Sequence, residues 1–125
     1  MEKDTTNTLG NKAQISFSIR QADKIYFVLV ENIAFACSKG KTVYLVDFNG
    51  NKHIIAKTLE TLEGLLSEQQ FYRINRQMLV NRKAIKDVET YTNQRILVHL
   101  TLLTFEEAIV PRVKVKPLLS WIEKG

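Results

Sequence analysis

The chain has 125 residues, of which 45% are hydrophobic and 25% are charged, as in an ordinary globular domain. Eighteen Lys and Arg against thirteen Asp and Glu give a net charge of +5. This charge suits a nucleic acid, an anionic membrane surface or an acidic protein and does not select among them. The single cysteine, Cys37, excludes an intrachain disulfide, and with only two histidines it also excludes a Cys/His zinc cluster.

The first half of the chain is predicted to be rich in β-strands. Residues 1–12 are polar and end in Gly-Asn-Lys, so we expect a disordered tail or a linker remnant ahead of one domain, residues 13–125. Apolar and polar residues alternate over 15–20, which predicts a half-buried strand. The continuous apolar run 25–30 predicts a strand that is more deeply buried.

A hairpin and then a helix are predicted next. Residues 43–48 and 52–56 read as strands joined through Asn-Gly, the strongest short hairpin signal. Residues 58–66 then place apolar side chains on one face of a helix that Thr58 can cap. The charged residues of this helix are acidic, so it is a poor candidate for lying against phosphate.

Residues 71–86 form a basic stretch without any acidic residue. Its apolar residues are spaced to dock the stretch on a core, while its basic residues are Arg73, Arg76, Arg82, Lys83 and Lys86. Such a segment suits a polyanion, but on charge alone a solvated basic face is the simpler interpretation.

The last third of the chain is predicted to form a second hairpin, a short strand and a helix. Residues 84–91 and 95–100 read as the hairpin, and 106–110 as the strand. The unusually apolar Leu102, Leu103 and Phe105 between them are expected to pack within the molecule.

The final helix is predicted to begin at Pro117 and to run through Glu123. Leu118, Leu119 and Ile122 are expected to point inward. The predicted fold is therefore mostly β with one or two short helices.

No pattern in the sequence indicates catalysis. The histidines, His53 and His99, are expected to face solvent, and no Gly-x-Ser-x-Gly elbow or phosphate-binding glycine loop is present. We expect no enzyme, no metal and no cofactor. No apolar run reaches the length of a membrane span and no apolar signal core stands at the N-terminus, so we expect a cytoplasmic protein without membrane contact.

Residues 71–81, with the sequence FYRINRQMLVN, resemble the signature of the LytTR-type DNA-binding domain. In that family a Phe-x-Arg-x-His-[Arg/Lys]-Ser segment runs into an aliphatic-Val-Asn, a residue pair and an isoleucine. This sequence has the matching residues at Phe71, Arg73, Val80 and Asn81, and an isoleucine, Ile85, follows Asn81 after three residues instead of two.

The resemblance extends from about residue 15 to the end of the chain. Residues 33–45 are similar to the family's strand-loop-strand, and Val110-Pro111-Arg112 stands where the family has Val-Ser-Arg. Three signature positions depart from the pattern, with Asn75 in place of histidine and with Gln77 and Pro111 in place of serines. Asn and Gln keep the ability to contact adenine with two hydrogen bonds.

The resemblance implies an elongated all-β domain of several short antiparallel sheets that reads double-stranded DNA through three loops. These loops lie around Lys39–Thr42, around Asn75 and Arg76, and at Arg112. The candidate DNA-binding residues are Lys39, Lys41, Thr42, Arg73, Asn75, Arg76, Arg82, Lys83, Arg112 and Lys114. Arg73 is alternatively an internal salt-bridge partner, and Asn81 is more simply a turn or capping residue.

The resemblance further implies the output domain of a bacterial transcription regulator of the response-regulator type. Two copies would occupy paired half-sites and form a homodimer on DNA, and the receiver domain usual in the family is not in this sequence. Two alternatives stay open. One is a helix-turn-helix built from residues 58–68 and 77–85; the other is a β-rich RNA- or protein-interaction module with Leu102, Leu103 and Phe105 as its patch.

Overall fold

The computed structural model describes residues 14–104 and 106–124, and within them the chain is mostly β, as predicted. The predicted tail, residues 1–12, lies outside the described residues. The strands are β1 (Ser16–Gln21), β2 (Lys24–Leu29), β3 (Ile33–Lys39), β4 (Thr42–Asp47), β5 (Lys52–Ile55), β6 (Phe71–Asn75), β7 (Met78–Asn81), β8 (Ile85–Thr90), β9 (Ile96–Leu100) and β10 (Ala108–Val110). The helices are α1 (Leu59–Leu65) and α2 (Arg112–Lys124).

A five-stranded antiparallel sheet in the order β5-β4-β3-β7-β6 forms the centre of the described chain. The Asn-Gly hairpin between β4 and β5 is confirmed, with Gly50 at a φ of +88°, where a side chain would be strained. β1 and β2 form a separate two-stranded sheet, and β8, β9 and β10 form a three-stranded one. The prediction of several short antiparallel sheets is confirmed.

The central sheet is packed on both faces. On one face, β1, β2 and α1 contribute the first hydrophobic cluster, whose buried side chains include Phe17, Val28 and Leu62. On the other face, the three-stranded sheet and α2 contribute the second cluster, including Val98 and Leu118. Strands covered on both faces read as continuous apolar runs, which explains the composition of β3.

The prediction that residues 25–30 form a deeply buried strand is wrong for most of β2. Val28 is its one buried residue, while Ile25, Phe27 and Leu29 are exposed. The β1–β2 sheet packs only one face on the core, so every second apolar side chain of the run points away from it.

The predicted α1 helix is confirmed, including its cap. The Thr58 hydroxyl accepts a hydrogen bond from the backbone N–H of Thr61 at 3.1 Å, and Leu59 and Leu62 are buried. Residues 78–81, in contrast, form strand β7, so the helix-turn-helix alternative is wrong.

The last helix begins earlier than predicted. α2 starts at Arg112 and holds Pro117 inside it, because the N–H of Lys114 donates to the carbonyl of Pro111 at 2.9 Å and closes a turn ahead of the proline. Leu118 is buried and Ile122 packs partly against the second cluster, as predicted. Leu119 is 37% exposed, so the prediction that it points inward is wrong.

Two other side chains lie in places that the sequence did not predict. Leu103 is 98% exposed, so internal packing is wrong for this residue, whereas Leu102 is partly packed against the second cluster; Phe105 lies outside the described residues. His53 is largely buried rather than at the surface, with Nε2 at 3.0 Å from Oδ2 of Asp47 and Nδ1 at 2.8 Å from the Tyr26 hydroxyl. None of the helices in the described ranges is long and apolar enough to span a membrane.

Candidate nucleic-acid interface

The turn between β6 and β7 is shaped by the side chain of Asn75. Its Oδ1 accepts a hydrogen bond from the backbone N–H of Gln77 at 2.8 Å, the geometry of an Asx turn. Its Nδ2 donates to the carbonyl of Ile109 in β10 at 2.7 Å. Asn75 therefore fixes the turn and fastens it to the three-stranded sheet, and both polar atoms of its amide are engaged within the chain.

The β3–β4 turn lies beside the β6–β7 turn. The backbone N–H of Ser38, near the end of β3, donates to the carbonyl of Gln77 at 2.9 Å, so the strand that leads into one turn is bonded directly to the other turn. A concavity of about 630 Å³ opens between them, with Lys39, Gly40, Gln77, Glu106 and Glu107 among its lining residues. The first two of the three predicted segments are therefore neighbours.

The third predicted segment lies on the other side of the same turn. A second cleft, of about 530 Å³, is lined by Asn75, Arg76, Gln77, Arg95, Glu107, Ile109 and Pro111. Arg112 directly follows Pro111 and is exposed. The fold thus brings residues 39–42, 75–76 and 111–112 together around the β6–β7 turn.

Several of the sequence-predicted residues have exposed side chains with no partner within 14–104 and 106–124. Lys41 in the β3–β4 turn and Arg76 in the β6–β7 turn belong to this group. Arg112 has only a long contact, from Nη1 to Oε1 of Gln94 at 3.4 Å. Thr42, the first residue of β4, is half-buried and pairs in register with Lys39.

Arg73 is held inside the protein, as its alternative interpretation predicted. Its Nη1 lies 3.1 Å from Oε1 of Glu63, and its Nη2 lies 3.8 Å from Oε2 of Glu60. The same guanidinium donates to the carbonyls of Asn75 at 2.9 Å and Arg76 at 2.6 Å. Arg73 therefore supports the β6–β7 turn from behind. The acidic helix thus contacts the basic stretch at Arg73.

Arg82 and Lys114 also make intramolecular contacts. The Arg82 guanidinium lies over the Trp121 ring, 3.8 Å from its centroid, and donates to the carbonyls of Trp121 and Ile122. Lys114 donates from Nζ to the carbonyl of Arg73 at 2.8 Å. Both side chains fasten α2 to the β6–β7 hairpin. We therefore interpret Arg82 and Lys114 as residues that stabilise the fold.

Near the end of β7 that is opposite to the turn, Asn81 is buried and Lys83 is exposed. Asn81 is buried and acts as a cap, as its simpler interpretation predicted, accepting from the N–H of Lys83 and donating to the carbonyl of Ile33, each at 2.9 Å. Lys83 is exposed, but it follows the end of β7 that is opposite to the turn. The fold does not bring Lys83 together with the three segments.

Sequence reasoning missed Arg95 and Glu107. Arg95 lies over the Tyr91 ring, 4.9 Å from its centroid, donates from Nε to the carbonyl of Thr92 at 3.0 Å, and lines the second cleft. Glu107 is exposed, lines both concavities and has no ion-pair partner in the described part of the chain. No local signal marks either residue, because their position depends on how the β8–β9 hairpin and β10 pack beside the β6–β7 turn.

Glu106 differs from its neighbour because lysines surround it. Its Oε2 is 3.2 Å from Nζ of Lys39 and 3.9 Å from Nζ of Lys52. That oxygen receives no hydrogen bond of good geometry, so the contacts act through charge attraction. Lys39 is consequently less available to an external anion than Lys41.

Cys37 is among the residues that line the first concavity, and it is buried. Burial raises the pKa of its thiol to about 11, the charge of Glu106 adds to the rise, and Lys52 and Lys39 oppose it. The thiol therefore stays protonated near neutral pH, as expected of a small buried core residue. No group of three or more potential metal ligands occurs among the residues that the structure describes.

Comparisons with known proteins agree on one family. A family model described as the LytTr DNA-binding domain matches residues 23–123. Among solved structures, the chain is similar to the LytTr DNA-binding domain of a Bacillus cereus protein described as a methyl-accepting/DNA response regulator. The TM-score is 0.75 at 18% sequence identity, over 88% of this chain and 98% of that chain, so this likeness concerns the fold. No curated protein matches the chain.

Proposed function

The chain belongs to the LytTR DNA-binding domain family, and we propose that it binds double-stranded DNA in a sequence-specific manner as the output domain of a bacterial transcription regulator of the response-regulator type. The observation that supports this most is the meeting of the β3–β4 turn, the β6–β7 turn and the start of α2 around Gln77. Side chains that recognise base edges must enter the same DNA groove at the same time. Three segments that lie side by side can present such side chains together.

The two guanidinium groups best suited to base reading are those of Arg76 and Arg112. Both side chains are exposed, and each could bind guanine N7 and O6 with two hydrogen bonds. Lys41 contacts phosphate, where a point charge suffices. Three other candidates make at most supporting contacts with DNA. Lys39 is paired with Glu106, Thr42 is half-buried, and Lys83 is distant from the β6–β7 turn.

The amide reader in this proposal is Gln77 rather than Asn75. The Asn75 amide is engaged with Gln77 N–H and the Ile109 carbonyl, whereas the Gln77 side chain is exposed and lines both concavities. Gln77 could thus pair with adenine N6 and N7. Arg73, Arg82 and Lys114 hold the framework and contribute positive potential.

Glu107 has a role of its own in the proposed interface. A carboxylate repels phosphates, so its place between the two clefts is costly unless it accepts a hydrogen bond from a base. Cytosine N4 offers such a donor in the major groove. We therefore assign Glu107 as the cytosine reader of the interface.

We further propose how the chain assembles on DNA and which residues form the DNA-binding domain. Two copies occupy paired half-sites, and each copy uses residues 13–125, with residues 1–12 as tail or linker. The two copies then associate only on DNA. This association would be measured as cooperative binding to a duplex with two half-sites.

The deciding experiment is selection of bound duplexes from a random pool at moderate salt. We expect an enriched motif, and an affinity for it that falls by orders of magnitude between low and moderate salt. A pool that stays random after selection would contradict sequence-specific binding. A β-rich protein- or RNA-interaction module would give neither the duplex motif nor the steep salt dependence.

A further inference from the structure

The outer face of the β1–β2 hairpin carries a row of uncovered apolar side chains. In the register of the two strands, Arg20 pairs with Ile25, Ser18 with Phe27 and Ser16 with Leu29. The alternate residues of both strands point into the first cluster, so these three pairs point outward. Phe27 is 68% exposed, and Ile25 and Leu29 are 48% and 41% exposed.

A groove runs between this face and β5, the edge strand of the central sheet. Its volume is about 320 Å³, and its lining residues are Ser18, Arg20, Ile25, Ile54, Ile55, Ala56 and Lys57. Ile54 is 62% exposed, so the apolar surface continues from β2 across the groove to β5. Contiguous apolar surface of this kind marks an interaction site more often than scattered single side chains do.

Positive charge borders the apolar floor of the groove. Arg20 and Lys57 are both exposed lining residues, and no acidic residue lines the groove with them. Neither cation has an ion-pair partner in residues 14–104 or 106–124. The groove therefore offers apolar contacts and two available cations to the same ligand.

From this combination we infer that the groove, together with the outer face of β2 beside it, binds a short acidic and apolar segment of a partner protein. Apolar side chains of the segment cover Ile25, Phe27 and Ile54, and one or two carboxylates pair with Arg20 and Lys57. A guanidinium holds a carboxylate through two parallel hydrogen bonds, which would fix the register of the bound segment.

The charge of the groove argues against two other occupants. A second copy of the chain, packed face to face, would place Arg20 and Lys57 of both copies in one interface to which the groove contributes no acidic residue. Residues 1–13 contain only Met1, Leu9 and Ala13 as apolar residues, and their two acidic residues are balanced by two lysines. An external acidic segment complements the groove in both respects. This inference does not depend on DNA binding, since the groove shares no residue with the proposed interface.

The test is a selection of displayed random peptides on the immobilised chain. We expect enrichment of peptides in which Asp or Glu stands beside large apolar residues. A synthetic peptide of the enriched sequence, labelled for fluorescence polarisation, should bind the Phe27→Ser/Ile54→Thr variant at least about tenfold more weakly. The Arg20→Glu/Lys57→Glu variant should lose a similar factor and should regain binding to a peptide whose acids are replaced by lysine.

Leu103→Ser is the matched control, because it removes an apolar side chain that is even more exposed and lies outside the groove. It should leave peptide binding unchanged, and circular dichroism should show that all variants stay folded. The inference is overturned if no peptide is enriched, if the enriched peptides are basic, or if the groove variants bind as the parent does. A stable dimer of the chain that the Phe27→Ser/Ile54→Thr variant abolishes would also overturn it.

Discussion

Asn75 donates from Nδ2 to the carbonyl of Ile109, 34 residues later in the chain and 2.7 Å away in space. Asn75 ends β6 of the central sheet, and Ile109 is the middle residue of β10 in the three-stranded sheet. One amide thus joins two sheets and, through its Oδ1, also fixes the β6–β7 turn. The proposed interface consequently depends on Asn75, although both polar atoms of its amide already form hydrogen bonds within the chain.

Asn75→Ala should destabilise the fold. The substitution leaves the Ile109 carbonyl and the Gln77 N–H without these partners, which we expect to lower the free energy of unfolding by about 1–3 kcal/mol. Urea unfolding measures the change. Gln77→Ala is the control, because its exposed side chain should matter by no more than about 0.5 kcal/mol. Equal stability of the two variants would remove the structural role assigned to Asn75.

Arg73→Ala and Arg76→Ala should separate folding from binding. Arg73 supports the carbonyls of the turn and pairs with Glu63, so its loss should lower the free energy of unfolding by about 1–3 kcal/mol. Arg76 is exposed, so its loss should leave stability within about 0.5 kcal/mol. Binding of the selected duplex should nevertheless weaken for Arg76→Ala. The reverse pattern would mean that the roles of the two arginines are exchanged.

Arg112→Ala should weaken binding to the selected duplex by about 1–3 kcal/mol, since a bidentate guanine contact has that value. The loss on a random duplex should be smaller, and a titration of both duplexes at one salt concentration compares them. Lys24→Ala, an exposed lysine of the β1–β2 hairpin, is the matched control and should affect neither. An equal loss on both duplexes would make Arg112 a phosphate contact and remove its role as a base reader.

Glu107→Gln should change the selected motif at one position. The neutral amide no longer favours a donor-only base edge, so we expect a cytosine preference there to relax, while affinity for random duplex rises because a charge that repels phosphate is gone. Repeating the selection with this variant measures both effects. An unchanged motif with higher affinity for all duplexes would reduce Glu107 to a repulsive charge.

His99 should make stability depend on pH above pH 6.5, its ordinary pKa. Its hydrogen bond with Asp87 raises the pKa of His99 above its ordinary value of 6.5; desolvation opposes this rise, and the charges of Asp87 and Glu89 add to it. The raised pKa means that the stabilisation is fully present below pH 6.5 and is lost as pH rises through the folded-state pKa. Unfolding curves of the parent chain and His99→Gln, measured across this range, should converge at high pH. A constant difference would show that the imidazolium does not contribute.

Local signals in the sequence were sufficient where one segment decides its own structure. The Asn-Gly hairpin and the α1 cap at Thr58 need only neighbouring residues, and both are present as predicted. The start of α2 was misplaced because Pro117 is a favourable first helical residue, whereas the first turn here closes on the carbonyl of Pro111.

Surface roles were harder to predict because they depend on distant partners. The sequence does not show whether an arginine side chain is exposed to solvent or packs on an aromatic ring. The ring over which Arg82 lies belongs to Trp121, 39 positions later. The exposure of β2 was missed for a similar reason, since an apolar run does not show how many faces of its sheet are covered. The meeting of the three segments followed from resemblance to the LytTR family, and their spacing alone would not have predicted it.

The position of β3 has a consequence for how the molecule opens. β3 is paired with β4 on one side and β7 on the other, and it supplies Ala36 to one hydrophobic cluster and Phe35 to the other. No partial opening of either face alone releases it, so its amide protons should exchange with deuterium only through global unfolding. Amides of the β1–β2 hairpin, with one face open, should exchange sooner. The hydrogen-exchange rate of β3 would then report the stability of the whole domain, whichever surface is occupied.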